Sequence, residues 1–163
     1  MLVLAVPFSA YAQAPNNLDS NNLFDSVSRP EFGPNAKAFG VTLITAEQSG
    51  GISVLTTSQS PSVTVPINVN GNQGNQAGQS FIISEHNSVK VLVNTVPSNM
   101  STVNIGIVDV TTGASVGYMP NVSVNKGITY NAGSNANHTF KVLVSTNESV
   151  SKTANFSIES YNQ

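Results

Sequence analysis

Two imidazoles, eight carboxylates and no thiol make up most of the acid–base and metal-ligating chemistry available to this chain. His86 and His138 are the only candidate imidazole bases. Glu85 and His86 are adjacent, so on a strand they point to opposite faces and read as a solvated pair rather than a dyad. Serine is abundant, and no Ser, His and acid stand in a local context that marks a nucleophile. The carboxylates are scattered and mostly near turns, so a glycosidase-like acid pair would have to assemble in space. Asp109 is the one candidate metal ligand. It lies beside the turn Thr111-Thr112-Gly113, where backbone carbonyls could complete a calcium shell; the same position suits a side chain that caps the turn. Gly71–Gln79 lacks the Gly-Lys-Ser/Thr ending of a phosphate loop. No other cofactor is expected, and the chain reads as non-catalytic.

The elements that would position these residues are strands. Only 9% of the residues are charged, against 39% hydrophobic, so Asn, Ser and Thr must supply the polar surface. Few strong helix formers accompany the abundant Val, Ile and Thr, which favours β structure. A net charge of -2 gives no field to draw nucleic acid, which is excluded as a partner. Asn99, Asn121, Asn137, Asn147 and Asn155 each open an Asn-X-Ser/Thr triplet, no more than such a composition produces by chance.

Strand signals follow one another from residue 39 to 163, which is read as one sandwich domain. Val41–Ala46 and Ile52–Leu55 flank Gly50-Gly51. Ser62–Val69 alternates cleanly, with Pro66 predicting an edge or a bulge. Gly71–Gln79 reads as a flexible loop. Phe81–Ser84 and Ser88–Asn94 form the next pair, followed by Thr102–Val110, Ala114–Met119 and weaker strands at Asn121–Val124 and Gly127–Tyr130. His138–Thr146 and Thr153–Tyr161 close the chain. Lys90–Ile107 and Lys141–Ile158 are alike at a constant offset, sharing Lys90/Lys141, Val91/Val142, Leu92/Leu143, Val93/Val144, Asn104/Asn155 and Ile107/Ile158 among others. The expectation is an internal repeat of two related β-hairpins. The fold class is all-β, an antiparallel sandwich of jelly-roll or immunoglobulin-like type.

The N-terminal residues read as an address. Leu2–Phe8 has the length of a signal h-region, and Ala10-Tyr11-Ala12 predicts cleavage after Ala12. The competing reading is a short buried strand. No segment is long and apolar enough to span a bilayer. Residues 13–38 form an extended arm, polar and rich in Pro and Asn, in which Leu18, Leu23, Phe24, Val27 and Phe32 are too many apolar residues for a spacer. Such an arm either lies loosely on its own domain or docks on another subunit by strand addition.

From Phe81 to Tyr161, the runs Ser88-Val89-Lys90-Val91-Leu92-Val93, Asn104-Ile105-Gly106-Ile107-Val108-Asp109, Thr139-Phe140-Lys141-Val142-Leu143-Val144 and Phe156-Ser157-Ile158 resemble the small β-sandwich modules of secreted bacterial proteins, such as pre-peptidase C-terminal-like domains. The resemblance implies a non-catalytic module that makes surface or polymer contacts; those modules usually hang on a large enzyme, and none is read within these 163 residues. The leading expectation is an exported structural or cell-surface protein that self-associates by strand addition, its partners being itself or other surface proteins. The alternative is a carbohydrate-binding or adhesive module, for which Tyr118 and Tyr130 are the candidate ring platforms beside Leu23, Phe24, Val27 and Phe32 as contact residues.

Overall fold

The computed structural model describes residues 30–46, 58–68, 74–83 and 88–161. After a 3-10 turn at Pro30–Phe32 come β1 (Thr42–Thr45), β2 (Ser58–Gln59), β3 (Ser62–Val65), β4 (Asn75–Ile82), β5 (Ser88–Thr95), β6 (Thr102–Asp109), β7 (Ser115–Ser123), β8 (Lys126–Asn131), β9 (Thr139–Ser145) and β10 (Lys152–Tyr161). They form a six-stranded sheet ordered β1-β8-β5-β10-β2, with β3 also on β10, and a four-stranded sheet ordered β4-β9-β6-β7. Every ladder is antiparallel. The expected all-β sandwich is therefore present in the described residues. Gly50-Gly51, Ile52–Leu55 and the Glu85-His86 pair lie outside them.

The repeat is real in space, but its copies are not hairpins. β5 and β6 belong to different sheets, as do β9 and β10. The first strand of each copy pairs with the second strand of the other. Val91 faces Ile158 and Val93 faces Phe156 across β5 and β10. The equivalent residues Val142 and Val144 face Ile107 and Ile105 across β9 and β6. Corresponding positions thus meet in the same register in both sheets, as an approximate two-fold relation between the copies requires. Each copy is a strand, a crossing from sheet to sheet, and a second strand. The two crossings touch: Glu148 Oε1 accepts from the Ser101 and Thr102 amides, each at 2.8 Å, and Thr146 Oγ1 donates to the Thr102 carbonyl.

Alternating side chains meet between the sheets. Val89, Val91, Val93, Phe156 and Ile158 from one sheet pack against Val103, Ile105, Ile107, Phe140, Val142 and Val144 from the other. Three expectations change. Asn75, inside the segment expected as a flexible loop, begins β4, and Asn75, Gln76 and Ala77 are buried. Their polar groups find partners: Asn75 Nδ2 donates to the Thr64 carbonyl at 2.7 Å, and Gln76 Nε2 to that of Gly78. β4 and β5 lie in separate sheets rather than pairing. The strands expected at Ala114–Met119 and Asn121–Val124 are one strand, β7, whose Asn121 adopts a φ of 57°. β3 stops before Pro66, whose carbonyl accepts from the Thr146 amide. That is the strand end a missing N–H donor favours.

Candidate functional site: an arm seated on an apolar sheet face

Across the outer face of the four-stranded sheet, Leu143, Gly106 and Tyr118 stand in one row, paired strand to strand. Val108, one step along β6, joins them. Outward positions on a solvated face are ordinarily polar. Here Val108, Tyr118 and Leu143 form a second buried cluster because Phe32 covers them. Phe32 stacks on Tyr118 with ring centroids 5.1 Å apart and planes 12° from parallel, and on Phe39 at 6.3 Å. It rests on Gly106, where an added Cβ would lie 2.5 Å from the Phe32 ring. The ring therefore fills a hole that only glycine leaves.

Backbone contacts hold the same segment. Phe39 and Tyr118 exchange amide and carbonyl hydrogen bonds at 3.0 and 2.9 Å, adding one bridge to the β7 edge. The Tyr118 hydroxyl donates to the Gly33 carbonyl, and Asn68 Nδ2 donates to that of Phe32 at 2.9 Å. Glu31 and Ser115 are hydrogen-bonded through their side chains. Gly40 then turns the chain towards β1 with a φ of +65°, its α-carbon so close to the Val116 carbonyl that a side chain has no room. At one margin of the face the amides of Asn68, Asn104, Asn121 and Asn147 form a network: Asn147 Oδ1 accepts from Asn104 at 2.8 Å and from Asn68 at 3.2 Å, and Asn104 Oδ1 accepts from the Asn121 amide.

The candidate residues are sorted by this geometry. Phe32 is brought onto its own sandwich, whereas Leu23, Phe24 and Val27 lie outside the described residues. Tyr118 and Tyr130, expected as exposed platforms, are 1% and 8% exposed and cannot present ring faces. Tyr130 tilts against Phe140 in the core. Burial pushes the Tyr118 phenol up to about 12. It also raises that of Tyr130, with the charge of Asp109 adding to the effect.

Asp109 proves to be a turn cap with a second partner that the sequence did not reveal. Its Oδ1 accepts from the Thr112 amide and its Oδ2 meets His138 Nδ1 at 2.7 Å. Of the two readings of this position, turn cap and calcium ligand, the engagement of both oxygens fits the cap. Among the described residues no three His, Asp or Glu side chains gather as metal ligands do. Burial alone would push the Asp109 carboxyl up, but hydrogen bonds from His138 and Thr112 together outweigh it and hold the carboxyl below its usual range. The ionised carboxylate only accepts, so Nδ1 carries the proton.

No family model, curated protein or solved structure matches this chain. The face under Phe32 is the feature that most departs from what an ordinary sandwich needs. Among the described residues no helix is long and apolar enough to cross a membrane.

Proposed function

We propose that the chain is an exported, non-catalytic structural or cell-surface protein that associates with copies of itself by strand addition. The observation that carries this reading is the placement of charge. The strands at the sheet margins, β1, β2, β3, β4 and β7, contain no Lys, Arg, Asp or Glu. The inner strands hold Lys90, Asp109, Lys126, Lys141, Lys152 and Glu159. Sandwiches that must remain single usually place charges on their edges. This one has the opposite arrangement.

Two margins already have an occupant. Gln59 uses its side-chain amide to bond both the amide and the carbonyl of Gln79, stitching β2 to β4 across the bulge in β4. Phe39 takes the β7 edge. β1, at the end of the six-stranded sheet, offers the neutral run Thr42-Leu43-Ile44-Thr45 with Leu43 46% exposed. It is the edge for a neighbouring copy. The export reading rests on the Leu2–Ala12 pattern, and the likeness of residues 81–161 to secreted sandwich modules is in keeping with it. Burial of Tyr118 and Tyr130 takes from the glycan-binding alternative the two ring platforms it put forward for contact.

Light scattering and electron microscopy of the chain from Gln13 onward test the reading. Filaments or defined oligomers are expected. A monomer at every concentration would end it.

A further inference from the structure

The repeat supplies an internal control for the face under Phe32. In the two copies Gly106 corresponds to Ser157, and Val108 to Glu159. At these two positions the outer face of the six-stranded sheet is polar, Glu159 pairing with Lys90 at 2.7 Å and Ser157 with Asn94 at 2.8 Å, while Leu92, the counterpart of Leu143, keeps its apolar side chain there half-buried. The copies differ where the arm lands. The equivalent face has become apolar and hollow, in a shape that fits one aromatic side chain and a short extended segment.

We propose that this face is an acceptor for the arm of a second copy of this chain, so that residues 30–39 exchange between subunits. The proposal rests on the self-association reading above and adds a second joint to the β1 edge. Three features support exchange. The arm is joined to the body through Gly40, which is exposed and, as a glycine, can change its backbone conformation when the arm moves to a neighbour. Every contact the arm makes in one chain, the Phe32 ring in its hole, the Phe39 bridge and the Glu31–Ser115 bond, is available unchanged from a neighbour. Exchange of identical elements is a low-cost route to assembly for this reason. Finally, a subunit whose arm is elsewhere exposes Val108, Tyr118 and Leu143, a patch that another arm covers better than water does.

The chain has no cysteine, which makes the test clean. The double variant Glu31→Cys, Ser115→Cys places two thiols where side chains already touch at the surface. Equal amounts of unlabelled and ¹⁵N-labelled protein are unfolded, refolded together at high concentration and treated with a short bis-maleimide. Mass spectrometry of the cross-linked peptides then reads their origin. Peptide pairs joining a labelled to an unlabelled chain are expected, and Gly106→Ala in the same background should reduce them by filling the hole. Cross-links confined to single chains, or none, would overturn exchange. Scattering on the same samples separates the two proposals: large particles with only intrachain links leave self-association standing through another edge, whereas monomers with intrachain links end both.

Discussion

Asp109 and His138 stand far apart in sequence, and their pairing fixes a turn through one carboxylate. Because the Asp109 carboxyl is held below its usual range, the folded state binds its proton less readily than the unfolded chain. The stability it contributes is complete above the ordinary carboxylate range and is lost as pH falls through the lowered folded value. Asp109→Ala should cost about 1–3 kcal/mol by leaving the Thr112 amide and the imidazole without their acceptor. Urea unfolding at neutral pH would measure it, and the loss should shrink in acid. Tyr118 works in the opposite direction. Its phenol is neutral in the fold to about 12, so its contribution is complete below 10 and is lost as pH rises towards 12. In Phe32→Ala the ring loses its cover, and its ionisation, followed by ultraviolet absorbance, should return towards 10.

At the scale of elements, the arm and its glycine make a paired prediction. Phe32→Ala should lose about 3–5 kcal/mol, the range for removal of a buried phenylalanine, since the ring is only 8% exposed and packs against Val108, Tyr118 and Leu143. Gly106→Ala should cost about 1–3 kcal/mol by overfilling the same contact. Because both act on one contact, the double variant should cost less than the sum, which thermal unfolding of all three would show. Individual strands were legible in the sequence because alternation reports which side chains share a face: Val89, Val91 and Val93, and Phe140, Val142 and Val144, are inward as expected. Strand partners were not legible. A period of two is the same for a hairpin and for a crossing between sheets, so the doubled stretch revealed a repeat and concealed how its copies interlock. Asn75 and Gln76 were misread as a loop because composition cannot reveal that the Thr64 and Gly78 carbonyls wait for their amides. The apolar face was hidden for a related reason. Gly106 and Tyr118 lie in separate strands and acquire meaning only when the ladder puts them side by side.

For the whole molecule, the distribution of charge sets how copies attract. With neutral margins and charged residues held on inner strands, association should be nearly insensitive to salt between dilute and physiological buffer, since screening acts on charges. Sedimentation across a salt series would test this, and strong salt dependence would point to a different surface. Leu43→Lys puts one ammonium on the β1 margin and should shift the population towards smaller particles without lowering thermal stability, because Leu43 is already half exposed.

The interlocked repeat also governs when the molecule can come into being. β10, the last of the described strands in chain order, lies inside the six-stranded sheet between β5 on one side and β2 with β3 on the other. Until residues 152–161 leave the ribosome, β5 has lost one neighbour and β3 has no antiparallel partner. Such distant pairings make folding slow, on the order of milliseconds to seconds, and all-or-none. A chain truncated before Lys152 should remain open to proteases however long it waits. A nascent chain built this way stays open and unlocked until β10 is released, so the slowest step of its folding waits on the segment made after all its partners.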